Sequence, residues 1–172
     1  MDLVASESGA GRRTVYNHFS SKKDLFDAMV SLLWENMPLE KIVSSIANAA
    51  NPEEALNEIG NAIADFWAPD EAVAFARLVI SEGGRFPELV DSFLTFGRVP
   101  ARRAVVGYLK SLTESKVLKI PDTEFAAAQF IALINSLLLW NRVIDRSVAP
   151  SKERREFVVS EAVKAILARY RL

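Results

Sequence analysis

Apolar residues recur along this chain at the three-and-four spacing of helices, and nowhere do they alternate with polar residues over the bounded runs a sheet requires. The pattern predicts an all-α protein. Leu3 and Val4 begin a short helix that Gly9 ends, because glycine enters the left-handed cap conformation at little cost. After a tight turn, residues 12 to 18 resume as a helix, and "SSKKD" punctuates it. Ser21, with Asp24 three residues on and an apolar stripe through Leu25, Met29, Leu32 and Leu33, starts a longer helix expected to reach Pro38 or slightly beyond. Asn51-Pro52, Ala68-Pro69, Gly83-Gly84, Phe86-Pro87, Pro121-Asp122 and Pro150-Ser151 separate about five more helices, with proline in first turns and aspartate or serine as caps. Gly97 and Pro100 fall within the segment 87 to 117, where an interior proline loses a backbone bond and is expected to kink or break the helix.

One of these segments carries more apolar surface than a single core contact buries. The stretch "FAAAQFIALINSLLLW", within the helix expected over 122 to 147, is apolar almost all round. It needs a second partner, and the helix after Pro150 offers Phe157, Val158, Ala162, Ile166 and Tyr170. Two such helices from each of two chains would form a four-helix interface with two-fold symmetry, a homodimer through residues 122 to 170 with Leu138 on its face. A helix at the centre of a monomer is the other reading. Trp67, Phe75, Phe93, Phe96 and Tyr108 fall on helices that would surround a cavity, and Arg77 and Asn135 are polar groups set in apolar runs. These seven are the candidate ligand-binding residues for a small, largely apolar effector. Core packing, or for Asn135 fixing the dimer register, is the plainer role.

Composition narrows the chemistry. The chain has 172 residues, half of them apolar, with a net charge of -1, one histidine and no cysteine. Disulfides and thiolate metal sites are excluded, a lone imidazole cannot build a metal centre, and a reducing cytoplasm is the expected compartment. The start "MDLVASESGA" lacks the basic and apolar stretches of a signal peptide, and no membrane span is expected. No nucleophile with its base, no pair of pocket carboxylates and no phosphate loop stands out. Ser81-Glu82-Gly83-Gly84 lacks the lysine of such a loop. The chain reads as a non-enzyme without cofactors. Its charge is uneven: residues 1 to 23 hold four lysines and arginines against two acids, +2, which leaves -3 for the rest.

That basic end has the spacing of a helix-turn-helix, two short helices joined by a glycine-containing turn, whose second helix enters the major groove of DNA. Arg12, Arg13 and Thr14 start the second helix, Tyr16, Asn17 and His18 extend its face, and Lys22 and Lys23 begin the next helix, within reach of flanking phosphates. A short solvated basic helix has the same spacing. The string "VASESGAGRRTVYNHFSSKKDLFDAMV" closely resembles the DNA-binding segment of the TetR family of bacterial transcriptional regulators. The features that carry the likeness are Val4-Ala5, the turn around Gly9, Thr14-Val15-Tyr16-Asn17-His18-Phe19, and Lys22 or Lys23 with Leu25 and Phe26.

The resemblance implies that Thr14, Tyr16 and His18 contact the DNA backbone, that Arg12 and Arg13 face bases or phosphates, that Lys22 or Lys23 binds phosphate, and that Phe19 is core. It also implies a reading head with its connecting helix over residues 1 to 45 and an effector-binding and dimerisation domain over 46 to 172. The second of these resembles the family by helical pattern and the phrase "RLVISEGGRFPEL". The expected function is a ligand-responsive regulator of transcription, a repressor released from a palindromic operator by its effector. The alternative is a dimeric ligand-binding or scaffold protein that has lost DNA binding. Two features depart from the family pattern. Gly11 stands where a serine or threonine cap is usual, and the family places a further helix of roughly 15 residues ahead of Val4. From the second departure, residues 2 to 19 are expected to be looser than the body.

Overall fold

The longer helices of the computed structural model begin where the chain supplies a cap or a proline, and the structure describes residues 1–35, 39–46 and 51–171. Helix α1 (Asp2–Ser8) stops at Gly9, whose φ of 68° is the left-handed conformation expected there, and α2 (Arg12–His18) follows after a turn. Ser21 accepts from the Asp24 backbone N–H, and Asp24 accepts from that of Ser21, a reciprocal box that opens α3 (Lys22–Trp34). This helix covers the whole apolar stripe from Leu25 to Leu33 and ends at Trp34, with Glu35 at its C-cap. Residues 36–38, where its end was expected, lie outside the described residues.

The body consists of α4 (Leu39–Ile46), α5 (Pro52–Phe66), α6 (Asp70–Glu82), α7 (Pro87–Ser92), α8 (Val99–Glu114), α9 (Thr123–Asn135), α10 (Asn141–Ile144) and α11 (Lys152–Tyr170). Asn51, Asp122 and Ser151 cap α5, α9 and α11 through side-chain oxygens, as their positions predicted. Gly97 and Pro100 do not break the helix they interrupt. The backbone widens into a π turn over Phe93–Arg98, and Pro100 then sits in the first turn of α8, where it forfeits little. A second π turn, Ser136–Trp140, joins α9 to α10.

Helices α5, α9 and α11 pack around Leu56, Ile59, Phe130, Ile134 and Val159, none of which retains exposed surface. Gly60 allows the close crossing of α5 and α11, since a Cβ there would lie 2.5 Å from Val159 Cγ1 and 3.3 Å from Phe130 Cζ. Val158, Ala162, Ile166 and Tyr170 are consumed by this intrachain packing, so of the five α11 residues expected at a dimer face only Phe157 is free. Leu138 is likewise buried within its own chain. The residues α9 and α10 leave outside are Phe125, Leu133, Leu137, Trp140 and Ile144, which follow one another at helical spacing.

Thr123–Ile144 runs as one 22-residue helix that is long and apolar enough, by length and composition only, to cross a membrane, a test that the core helix of a soluble fold also passes. A third of its most apolar 18-residue window is buried against the other helices. Arg142 fixes its far end. This buried guanidinium donates to the Trp67 carbonyl, to the Ala68 carbonyl at 3.0 Å and to the Asp70 carboxylate, so it covers the exposed carbonyls at the end of α5. Arg77 in turn donates to the carbonyls of Arg142 and Val143.

Because its two carbonyl partners lack another donor, Arg142→Leu is expected to cost about 2–4 kcal/mol in urea unfolding, and Asp70→Asn well under about 1 kcal/mol because that carboxylate is almost fully exposed. Equal losses would assign the stabilisation to the ion pair instead of the carbonyls.

Candidate nucleic-acid interface and ligand cavity

In the reading head only Ala5 of α1 and Val15 of α2 are buried, while Arg12, Arg13, Thr14, Tyr16, Asn17 and His18 are exposed together on α2. Of these, Arg13, Asn17 and His18 have no hydrogen bond or ion pair among the described residues. Arg12 Nε pairs with Asp2 at 2.9 Å, the Tyr16 hydroxyl donates to the same carboxylate at 3.0 Å, and the guanidinium lies over the tyrosine ring. Asp2 thus holds two of the expected DNA contacts on the α1 side.

The two lysines differ. Lys22 is exposed and lies over the Phe86 ring. Lys23 donates to both Asp27 oxygens, at 2.8 and 3.0 Å, and approaches Phe96 of the first π turn. Asp27 also accepts from the fully buried Ser92 hydroxyl of α7, which ties α3 to the body. Desolvation pushes the Asp27 carboxyl upward, but the hydrogen bonds from Lys23 and Ser92 outweigh it and hold it below the ordinary carboxylate value. The Asp27 hydrogen bond holds the Lys23 ammonium above its ordinary value.

At the other end of α3, Trp34 stacks on Phe66 with ring centroids 4.3 Å apart and meets Trp67 edge-on at 6.5 Å. Its indole lies over Gly97, at a distance no other residue would allow, since a Cβ at 97 would overlap the ring. Beneath it is a cavity of about 350 Å³ walled by α3, α5, α6, α8, α9 and both π turns. All three tryptophans of the chain, Trp34, Trp67 and Trp140, line it. Its charged lining residues are Arg98 and Arg102.

Of the seven candidate ligand residues, Trp67, Phe93 and Asn135 line this cavity. The other four are placed elsewhere. Phe75 packs with Val30 and Leu89, Arg77 bonds the end of α10, Tyr108 is in the main core, and Phe96 is exposed beside Lys23. Sequence reasoning missed Trp34, Arg98, Arg102 and Trp140. The available signal was the pair of arginines four apart around Pro100, which the π turn swings to the cavity. Trp34 gave none, because an apolar residue near a helix end is usually core. Among the described residues no group of three His, Asp or Glu could hold a metal ion.

Comparison with known proteins agrees with this arrangement. Residues 1–29 match a family model described as bacterial regulatory proteins, tetR family, and residues 54–172 match one described as AefR-like transcriptional repressor, C-terminal domain. A solved protein of Mesorhizobium loti assigned to the TetR family is 23% identical, with a TM-score of 0.86 over 98% of this chain and 85% of its own. A TetR family regulator from Pseudomonas syringae pv. tomato is 24% identical, with a TM-score of 0.79 over 100% and 86%. The flavonoid-responsive regulator FrrA is 25% identical, with a TM-score of 0.75 over 99% and 86%. No curated protein matches in sequence.

The joint between α3 and α7 generates a pH expectation. A depressed carboxyl contributes stability that is present above its unfolded value, near 4, and lost as pH falls through its lower folded value. A raised lysine contributes stability below about 10.5 that is lost above it. Protection of the α3 amides from hydrogen exchange, referenced to α5, is therefore expected to be flat from about pH 5 to 9 and to fall below about pH 4. Asp27→Asn should reduce that acid fall, leaving the part owed to Asp24, whose carboxyl the Ser20 and Ser21 hydrogen bonds also hold below its ordinary value; an undiminished fall would exclude the Asp27 link.

Proposed function

The chain belongs to the TetR family of transcriptional regulators and is a DNA-binding regulator of transcription, and from that premise we propose that it is a homodimeric repressor released from its operator by a small molecule bound under Trp34. The observation that carries the reading is the reach of α3. One end begins at Lys22, a short turn after α2, and the other places Trp34 in the cavity wall. Twelve residues of rise make about 18 Å of rigid helix between them. A ligand that binds better when Trp34 is displaced shifts the population towards a tilted α3, and so moves α2 relative to its partner in a dimer. Regulators of this family are not enzymes, and the chemistry asked of the chain is recognition alone.

We assign base reading to Arg13 and Asn17, whose side chains are unengaged, and phosphate contact to Thr14, Tyr16, His18 and Lys22. Tyr16 and Arg12 make such contacts only after leaving Asp2, and Lys23 only after leaving Asp27. We put the division between head and body before α4, earlier than residue 45, a choice supported by the packing of Leu39, Ile42 and Val43 with the body core. The dimer face is assigned to the outer stripe of α9 and α10 with Phe157, which leaves large apolar side chains without a partner in one chain.

Selection from random duplex DNA by the purified protein, followed by binding across salt concentrations, tests the function. A palindromic winner with a steep salt slope supports it, and uniform weak binding to all sequences opposes it. On the selected operator, Tyr16→Ala and Lys22→Ala are expected to weaken all sequences alike, whereas Arg13→Ala relaxes preference at particular positions, by about 1–3 kcal/mol per base contact. Base preference altered by Tyr16→Ala, with non-specific affinity intact, would overturn these roles.

For the dimer, Leu137→Glu should yield folded monomers in light scattering with helical circular dichroism retained. Leu138→Glu should instead unfold the chain, because that side chain is buried within it. A folded dimer of the Leu137 variant would remove this stripe from the interface.

A further inference from the structure

The cavity is apolar, but the polar atoms left over around it are few and specific. Among the described residues, three buried side-chain atoms lack any hydrogen-bond partner: Trp34 Nε1, Arg102 Nε and Asn135 Oδ1. All three belong to residues that line this one cavity. Burying a donor or acceptor without a partner is costly; Trp34 Nε1 lies against Gly97, so the two atoms that call for a partner in the cavity are Arg102 Nε and Asn135 Oδ1. Arg102 commits Nη2 to Glu124, 3.1 Å from its carboxylate and 3.3 Å from its carbonyl, and leaves Nε without a partner. Arg98, one turn earlier, has no ion pair among the described residues and stands at the cavity margin. The described lining contains no carboxylate.

The two arginines and Asn135 are not at the same end. Arg102 is anchored at Glu124, and eleven residues of α9, about 16 Å of axis, separate that anchor from Asn135. Side chains reaching inward from both ends leave a span on the order of 10 Å, the length of one extended aromatic molecule. The walls between are aromatic, with Trp34, Trp67, Phe93 and Trp140 presenting ring surface.

On the reading of this cavity as the effector site, we propose that its ligand class is an elongated hydroxyaryl acid. Its anionic oxygen meets the Arg98 and Arg102 side, its ring lies among the tryptophans, and its hydroxyl donates to Asn135 Oδ1. The charge is what selects it. A cation meets two arginines and no carboxylate in the described lining, and a hydrocarbon of the same shape leaves Arg102 Nε and Asn135 Oδ1 unpaired.

The probes are para-coumarate, its methyl ester, cinnamate, which lacks the hydroxyl, and tyramine, which keeps the phenol and reverses the charge. Binding to the full chain is read by calorimetry, and occupancy of the cavity by the fluorescence of the three tryptophans. Para-coumarate is expected to bind at least about tenfold more tightly than the ester or tyramine, one charge-assisted hydrogen bond's worth of discrimination. Arg102→Gln should erase its advantage over the ester, and Asn135→Leu its advantage over cinnamate. Both variants should keep the wild-type melting transition within a few degrees.

If the ester or tyramine binds as tightly as para-coumarate, or Arg102→Gln leaves the preference intact, the acid class is overturned while the cavity remains a ligand site. If none of the four perturbs either signal, the class is overturned as well. If para-coumarate binds with the stated preferences but leaves operator affinity unchanged, the class stands and the effector reading of the cavity fails.

Discussion

The seating of one indole over one glycine governs how the two halves of this molecule are joined. Trp34 ends α3, and its ring occupies the space that a side chain at position 97 would fill. The π turn that holds Gly97 also carries Phe93 and Arg98 to the cavity, so widening the backbone there serves two purposes. It absorbs a glycine and a proline that would otherwise interrupt a long helix, and it brings cationic and aromatic groups under Trp34. A cavity that shares a wall with the helix leading to the DNA-reading face is a place where small-molecule binding free energy can be converted into movement of that face.

The rest of the body serves to make that wall rigid. Phe130, Ile134 and Val159 lock α5, α9 and α11 together, and Arg142 ties the ends of α5 and α10 by satisfying carbonyls that would otherwise be left bare. The joint on the head side is built differently. It combines a small apolar cluster of Val30, Phe75 and Leu89 with the polar link from Asp27 to Ser92. One side of α3 is thus held by a large, closely packed core and the other by a few contacts. A lever needs that asymmetry.

Much of the fold was legible in the chain because local signals and global packing agree. Gly9 ends α1 and Ser21 with Asp24 opens α3, as each would in isolation. The helix-turn-helix was legible for the same reason, since its string is short, continuous and chemically distinctive. The errors arise where the outcome depends on partners distant in sequence. Pro100 was expected to kink or break a helix; the chain stays helical there, through a π turn that packs against α3. Leu138 and the α11 residues were assigned to a dimer face because periodicity reveals apolar faces without saying which one the chain itself covers. In the cavity, Trp67, Phe93 and Asn135 were anticipated, while Phe75 and Tyr108 went to cores. Aromatic spacing alone does not distinguish a wall from a filling.

Displacing Trp34 without any ligand tests the coupling most directly. Operator affinity, measured by fluorescence anisotropy on the selected site, would be compared for the wild type, Gly97→Ala and the double variant Gly97→Ala with Trp34→Leu, after circular dichroism and light scattering confirm that each is a folded dimer. The new methyl group pushes the indole off its seat, so the single variant is expected to bind operator about tenfold or more weakly, a coupling of roughly 1.4 kcal/mol or more. Shortening the side chain at 34 should restore most of that loss. Wild-type affinity in a folded Gly97→Ala dimer would contradict the account, because the indole would then have moved without moving the reading head.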